Sequence, residues 1–277
     1  MQLPPGLDPA GLRVAFLDLD GTVLHEARPL PTAAPAIARL QASGVQCVIA
    51  TGRMLTSALK IAAELGISAP VVSYQGAMVG SAEGEILRHD PLDIPTAREL
   101  LIEIEAAGYD PVAFIDEHVY VAHESETARA YSRNAGVGYR VVGDLANWLP
   151  APVTKLVTWG EPNEMSALRD ALVPRYGDRA FIAKSLPYYL EMAAPGISKA
   201  TGAEYVCELL GVTRDECIAF GDGENDIEML DWAGFGVAVA EGFEPLALHA
   251  DWVCPPLRED GVPRALDAIA SARLSPL

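Results

Sequence analysis

Two aspartates separated by a single residue end the first apolar run of the chain. The segment FLDLDGTVL, residues 16–24, continues a run that begins at Val14, and Gly21 closes it. This pattern predicts a buried strand, and the alternation of side chains along a strand places Asp18 and Asp20 on the same face. A carboxylate in such a position can bind a metal ion or accept a group covalently.

Three later segments place further polar groups where predicted strands end or predicted helices begin. These groups are Thr51 and Arg53 of IATGR, Lys199 of GISK, and Asp222, Asn225 and Asp226 of GDGEND. Ligands of open parallel sheets bind at the carboxyl ends of the strands. We therefore expect all of these groups to lie close to Asp18 and Asp20.

The charges of these groups indicate a metal site. Four of the groups are carboxylates, namely Asp18, Asp20, Asp222 and Asp226. At one sheet edge they would repel one another strongly unless a cation neutralised them. Oxygen ligands with open positions for water favour Mg²⁺, and Lys199 and Thr51 would bind an anion beside it. This set of groups fits phosphoryl transfer, in which positioning and charge neutralisation provide most of the catalysis.

Each segment taken alone has a simpler explanation. A single aspartate at a strand end commonly caps a turn or a helix, and GDGEND could be a fragment of a calcium loop or a plain turn. The loop lacks the spacing of a full EF-hand and the glutamate at its twelfth position. The joint occurrence of four such segments is what favours one catalytic site over four unrelated turns.

The elements that must position these groups alternate between strand and helix in the first third of the chain. Strands are predicted over VAFLDLD, VQCVIATG and APVVSYQGAMV, and helices over TAAPAIARLQASG and MLTSALKIAAELG. The last part of the chain returns to this order with SKATGAEYVCELLG, CIAFGDGEND, IEMLDWAG and GVAVA. Such alternation predicts an α/β fold with a parallel sheet.

The middle of the chain has a different rhythm. Helices are predicted over ELLIEIEAAG, residues 125–136 and NEMSALRDALVPRYG. Strands are predicted over APVTKLVTWG, RAFIAKS and YYLEMAA, and PVAFIDEHVYVAH is predicted to form two strands about a tight turn. Groups of one helix and two strands predict an antiparallel α+β unit. We therefore expect a core formed by residues 1–89 and 187–277 and an inserted α+β cap over residues 90–186, with prolines near both crossings.

Composition limits the possible partners and location. The chain has 277 residues, a net charge of −18 and 50% hydrophobic residues, which is typical of a globular protein and argues against nucleic acid or an anionic membrane as a partner. No apolar run approaches the roughly 18 residues of a membrane helix, and the first residues do not resemble a signal peptide. The four scattered cysteines are expected to be reduced. We expect a cytoplasmic monomer or homodimer.

The segments DLDGTVL, IATGR, GISK and GDGENDIEML resemble the four motifs of the haloacid dehalogenase superfamily. Their combination most resembles the Cof-type sugar phosphatases of subfamily IIB, which carry a large α/β cap between the second and third motifs. The resemblance implies a Rossmann-like core and a cap that selects the substrate. It also implies an Mg²⁺-dependent phosphatase that hydrolyses phosphate monoesters of small metabolites through an aspartyl-phosphate.

The resemblance implies distinct roles for the four aspartates. Asp18 would be the nucleophile, and Asp20 would protonate the leaving alkoxide and then deprotonate the hydrolytic water. Asp222 would bind Mg²⁺ beside Asp18 and the backbone carbonyl of Asp20. Asp226 would bind the ion directly or through water.

Substrate binding is implied for a second group of residues, namely Thr51, Gly52, Arg53, Lys199 and Asn225. Thr51 and Lys199 would hold the phosphoryl oxygens, and Lys199 would also steady Asp18. Asn225 would orient either Lys199 or a substrate oxygen.

Three positions depart from the pattern of this family. Gln75 stands where an asparagine is expected, Ala200 follows Lys199 where a glycine is usual, and VAEGFEP replaces an Asn-Ala pair. None of these changes removes a catalytic group. Two other functions stay open, a phosphomutase with the same intermediate and a non-catalytic sensor of a phosphorylated metabolite. The sensor is disfavoured because a binding protein would not require Asp20.

Overall fold

The computed structural model describes residues 3–125, 128–129, 132–133 and 136–274. The chain divides into two compact units. The first unit is formed by both ends of the chain, up to Leu87 and from Ser198 onward, and the second is Arg88–Ile197. Half of the residues of the helix predicted over residues 125–136 lie outside the described residues.

The elements of the described residues are numbered in chain order. The strands are β1 (Val14–Leu17), β2 (Leu24–His25), β3 (Arg28–Pro29), β4 (Gln46–Ile49), β5 (Val71–Ser73), β6 (Met78–Gly80), β7 (Ile86–His89), β8 (Val112–Ile115), β9 (His118–Val121), β10 (Tyr139–Val141), β11 (Lys155–Trp159), β12 (Phe181–Leu186), β13 (Tyr189–Ala193), β14 (Cys217–Gly221), β15 (Phe235–Val239) and β16 (Trp252–Cys254). The α-helices are α1 (Ala33–Ala42), α2 (Leu55–Leu65), α3 (Ile94–Ala106), α4 (Leu145–Trp148), α5 (Pro162–Tyr176), α6 (Lys199–Leu210), α7 (Ile227–Trp232) and α8 (Gly261–Leu274).

A parallel sheet with the strand order β16–β15–β14–β1–β4 forms the centre of the first unit. Every residue of β1, β14 and β15 is buried, as expected for a parallel sheet that is covered on both faces. Helix α1 packs against α2 and α8, and α6 packs against α7. Helix α2 ends at Gly66 in the left-handed conformation, with φ of 69°, as its sequence predicts. The predicted α/β fold with a parallel sheet is confirmed.

The two central strands of this sheet are where the chain diverges. Asp18 follows β1, Asp222 follows β14, and these two strands are parallel neighbours. From β1 the chain continues through α1 to β4 on one side, and from β14 through α7 to β15 on the other. A divergence of this kind opens a crevice at the carboxyl ends of the strands, and ligands of open α/β sheets bind there.

The single strand predicted over residues 69–79 is wrong. Strands β5 and β6 are antiparallel partners, and the turn Tyr74–Gly76 separates them. Tyr74 and Gln75 have φ values of 50° and 61°, so the extended chain stops there. Neither residue is a common turn former, which is why the apolar run conceals the turn.

The second unit is built on a six-stranded sheet with the order β10–β9–β8–β11–β13–β12. The pairs are antiparallel except β9 with β10. Helices α3 and α5 supply buried residues such as Leu101 and Leu168 to the same hydrophobic core as Leu156 and Met192 of the sheet. This arrangement is an antiparallel α+β unit with a core of its own.

The second unit extends further along the chain than the predicted range of 90–186. Strand β13 pairs with both β11 and β12. The chain therefore still belongs to the second unit after residue 186, and the first unit resumes only at Ser198. Pro187, which was expected to mark the boundary, lies in the turn between β12 and β13. The predicted and observed boundaries differ because β13 is held in the second unit by pairing with other strands, and the sequence around residue 186 does not show this pairing.

Two further expectations concern the state of the cysteines and the presence of membrane-spanning helices. All four cysteines are free and buried, and the thiols of Cys207 and Cys217 lie 3.4 Å apart. Across the part of the chain that the structure describes, no helix combines the length and the apolar character that crossing a bilayer demands.

Leu156 provides a test of the core of the second unit. It is fully buried on β11, between β8 and β13. Leu156→Ala is expected to lower the free energy of unfolding by about 2–5 kcal/mol, because the paired strands cannot close the cavity. The matched control is Leu186→Ala, at a leucine of β12 that is 41% exposed, with an expected change below about 0.5 kcal/mol. Equal effects of the two substitutions in urea unfolding would contradict this placement of Leu156.

Candidate active site

Lys199, Asp18 and Asp226 form a buried cluster of charges in the first unit. The Nζ of Lys199 donates to Asp18 Oδ1 at 2.6 Å and to Asp226 Oδ1 at 2.7 Å. The side chains of Lys199, Asp18 and Asp226 are 0%, 8% and 1% exposed. A buried charge is tolerated only when it is paired and hydrogen-bonded, so each of these groups depends on the other two.

Local structure places each member of this cluster. Asp18 follows β1, and its backbone N–H donates to the carbonyl of Phe220, which continues the pairing with β14. Lys199 is the first residue of α6, where Ser198 caps the helix by accepting from the backbone N–H of Thr201. These contacts fix the backbone from which the aspartate and the lysine approach each other.

The loop after β14 folds back on the carboxylate of Asp226. Asp226 Oδ2 accepts from the backbone N–H groups of Asp222 at 3.0 Å and Gly223 at 2.9 Å. Asp222 Oδ1 in turn accepts from Thr22 Oγ1 at 3.0 Å. Gly21 has φ of 83°, and a Cβ there would overlap the Asp222 carboxylate, so this position requires glycine. Thr22 belongs to the DLDGT segment but was not among the predicted site residues, and its hydrogen bond to Asp222 adds it to the site.

The donor set of Asp18, Asp222 and Asp226 fits a divalent cation. One carboxylate oxygen from each lies within 4.8 Å of the others. Burial raises the pKa of Asp18 well above its usual range; Lys199 opposes this, and Asp226 and Asp222 add to it. Burial and the charge of Asp226 also raise the pKa of Asp222 to about 6. Three crowded carboxylates therefore face one ammonium, and a hard cation with oxygen ligands would relieve the repulsion.

Lys199 is charged in this environment. Burial lowers its pKa, but the charges and hydrogen bonds of Asp18 and Asp226 raise it by more, and the net pKa lies above the usual value. A permanent positive charge therefore lies beside Asp18. It holds one oxygen of that carboxylate and supports the ionised form.

Asp20 lies outside the buried cluster. Its side chain is 47% exposed, and both of its oxygens accept from Arg53, Oδ2 from Nε at 2.7 Å and Oδ1 from Nη2 at 2.6 Å. The structure therefore brings Asp20 and Arg53 together as a bidentate pair. The carboxylate of Asp20 is not a member of the three-residue acidic cluster, and a contribution of its backbone carbonyl to a metal site stays a prediction.

The remaining predicted residues lie in two segments that Gln75 contacts, and they are Thr51, Gly52 and Asn225. Thr51 is buried, and its Oγ1 accepts from the backbone N–H of Arg53 at 3.3 Å. Asn225 Nδ2 donates to Gln75 Oε1 at 2.9 Å. Asn225 is therefore bonded to Gln75, not to Lys199 as one of its two predicted roles required. Gln75 stands at a position that departs from the family pattern, and its contact with Asn225 was not predicted from the sequence.

The chain is similar to a known protein family and to named phosphatases. The family model of haloacid dehalogenase-like hydrolases matches residues 15–266. The chain is 29% identical over 260 residues to the 5-amino-6-(5-phospho-D-ribitylamino)uracil phosphatase YitU of Bacillus subtilis. The aligned region covers 90% of this chain and 94% of that protein. It is 27% identical over 235 residues to the HMP-PP phosphatase of Escherichia coli, with coverages of 84% and 86%.

Among solved structures, the fold is similar to that of a haloacid dehalogenase-like hydrolase from Bacteroides thetaiotaomicron. The TM-score is 0.82 at 26% identity, and the match covers 93% of this chain and 99% of the other. The likeness therefore includes both units.

The raised pKa of Asp222 leads to a pH-dependent effect of divalent cations. Between the ordinary value of 3.8 and the folded-state value of about 6, the folded chain holds a proton that the unfolded chain has released. This proton stabilises the fold, and its contribution is lost as the pH rises through about 6. A cation needs the ionised carboxylates, so Mg²⁺ is expected to raise the Tm more at about pH 7.5 than at about pH 5.

Thermal unfolding with and without Mg²⁺ measures this difference. Asp222→Asn is expected to reduce the shift in Tm and its dependence on pH. The control is Asp215→Asn, at an aspartate whose side chain is 83% exposed, and it should behave like the unaltered chain. Equal shifts at both pH values would count against a cation site at these carboxylates.

Proposed function

The chain belongs to the haloacid dehalogenase-like hydrolase family, and from this premise we propose that it is an Mg²⁺-dependent phosphatase of small phosphorylated metabolites. The observation that carries the proposal is the buried contact of Lys199 with Asp18 and Asp226, with Asp222 beside them. It combines a restrained carboxylate, a fixed positive charge and two further carboxylates. Phosphoryl transfer requires these groups in one place.

The carboxylates of Asp18, Asp222 and Asp226 would hold the ion together with the backbone carbonyl of Asp20. When bound, Mg²⁺ supplies neutralisation of charge on the phosphoryl oxygens. Lys199 supplies a second positive charge, and Thr51 a hydroxyl, for the same oxygens. Since the ammonium of Lys199 holds Asp18 Oδ1, the Asp18 carboxylate keeps one orientation toward the phosphorus atom.

The chemistry then follows from two carboxylates with different surroundings. The buried carboxylate of Asp18 attacks phosphorus and forms an aspartyl-phosphate as the bond between phosphorus and the ester oxygen breaks. Asp20, which is half-exposed and paired with Arg53 in the structure, would leave that pair and, once protonated, give its proton to the leaving alkoxide. As a carboxylate, it then takes a proton from water, whose oxygen attacks phosphorus and releases inorganic phosphate and Asp18.

Selection of the ester is proposed to belong to the second unit. Thr51, Lys199 and the metal would contact only the phosphoryl group, which every phosphate ester carries, so they cannot distinguish leaving groups. The names of the relatives describe phosphatases of a phosphoribitylamino-uracil and of HMP-PP. We propose small phosphorylated metabolites of comparable size, sugar phosphates included, as the substrate class.

Release of inorganic phosphate from a panel of esters tests this function. The panel contains sugar phosphates, nucleotides, 5-amino-6-(5-phospho-D-ribitylamino)uracil and p-nitrophenyl phosphate, each with Mg²⁺ or with excess chelator. Release is expected from at least one small metabolite, and the chelator is expected to stop it. Absence of release from the whole panel would contradict the proposal, and interconversion of phosphorylated isomers without release would identify a phosphomutase.

Asp18→Asn tests the nucleophile. The amide has nearly the shape of the carboxylate but cannot attack phosphorus, so phosphate release is expected to fall by at least about a thousandfold. Asp215→Asn again serves as the matched control, with activity unchanged. Activity of Asp18→Asn close to that of the unaltered chain, with deamidation excluded by mass spectrometry, would rule out Asp18 as the nucleophile.

A further inference from the structure

The turn Tyr74–Gly76 belongs to the first unit but to none of the four motif segments. Its residues have φ values of 50°, 61° and 99°. A left-handed backbone is unfavourable for tyrosine and glutamine, and it persists only where the surroundings hold it in place. Strained residues of this kind concentrate at functional sites, so the contacts that hold the turn are informative.

The backbone of this turn is held by two of the site segments. The N–H of Gln75 donates to the carbonyl of Thr51 at 3.0 Å, and the N–H of Tyr74 donates to the carbonyl of Arg53 at 3.0 Å. On its other side, Gly76 lies against the carbonyl of Ser198, the residue before Lys199. The turn is therefore fixed both to the IATGR segment and to the start of α6.

The side chain of Gln75 reaches a third segment. It is only 2% exposed, and its Oε1 accepts from Asn225 Nδ2 at 2.9 Å. Its Nε2 lies beside Gly52, so closely that a Cβ at residue 52 would overlap it. The buried amide of Gln75 thus lies between the IATGR and GDGEND segments. Lys199 binds Asp18 and Asp226, so Gln75 and not Lys199 orients Asn225.

We propose that Gln75 is a positioning residue for phosphoester hydrolysis, an inference that rests on the proposed function. Gln75 fixes the amide of Asn225 against the segment of Thr51 and Gly52, so that the groups around the phosphoryl oxygens are in place before the substrate binds. Such preorganisation contributes to catalysis because no reorganisation is needed during the reaction. An amide suits this role, since it accepts from Asn225 without adding a further negative charge beside an anionic substrate.

Kinetics of single and double variants test this role. Gln75→Met keeps the length and shape of the side chain but removes its amide. It is expected to lower kcat for p-nitrophenyl phosphate roughly tenfold to a hundredfold, with a smaller change in KM. Asn225→Ala is expected to have a similar effect. The double variant should lose no more activity than Asn225→Ala alone, because both side chains act through one contact.

The matched control is Gln41→Leu, which removes a glutamine hydrogen bond to the carbonyl of Gly66, at the ends of α1 and α2. Its activity is expected to equal that of the unaltered chain. Normal activity of Gln75→Met, or losses that add fully in the double variant, would overturn the inference and leave the proposed function intact. A purely structural role would lower the Tm without coupling residues 75 and 225.

A spectroscopic measurement on the full chain tests the contact without activity. In ¹⁵N–¹H spectra, Gln75→Met is expected to shift the side-chain amide resonances of Asn225, which are assigned by their loss in Asn225→Ala. Gln41→Leu should leave them in place. Unchanged Asn225 resonances would overturn the inference even if no ester were hydrolysed. Asn225→Ala probes the same contact from the other side, through the amide resonances of Gln75, should Gln75→Met fail to fold.

Discussion

The first unit depends on one buried ammonium placed between two carboxylates. Lys199 would be costly to bury alone, and so would Asp18 or Asp226. Together they are compatible with an interior position, with Nζ–Oδ1 distances of 2.6 and 2.7 Å. The three residues come from the end of β1, the start of α6 and the loop after β14. Their mutual dependence therefore ties the catalytic geometry to the correct assembly of the sheet.

The order of strands in the sheet explains why these groups meet. Strands β1 and β14 are parallel neighbours although more than half of the chain separates them. The chain leaves them in opposite directions, which opens the crevice that receives Asp18 and Asp222. The second unit begins at Arg88, within β7, and the central parallel sheet is completed by the chain that follows this unit from Ser198 onward. A large insertion is therefore compatible with an undisturbed catalytic centre.

The turn between β5 and β6 has a strained backbone that is hydrogen-bonded to residues of the site. Tyr74 and Gln75 adopt φ values that are unfavourable for side chains with a Cβ. The hydrogen bonds of the turn to Thr51, Arg53 and Asn225 offset this cost. The proposed role of Gln75 explains why a residue would be kept there in spite of its conformation.

The sequence by itself determined the α/β class, the insertion of a different unit and the identity of the charged groups, because these follow from apolar periodicity and from the types of residue at strand ends. Only the tertiary structure decided the turn at residues 74–76, the return to the first unit at Ser198 and the partners of Asp20 and Asn225. The turn contains no glycine or asparagine before Gly76 to mark it, and β13 belongs to the second unit because of its pairing with distant strands. Whether Asn225 contacts Lys199 or Gln75 depends on which segments the fold brings within hydrogen-bond distance, and spacing along the chain carries no such information.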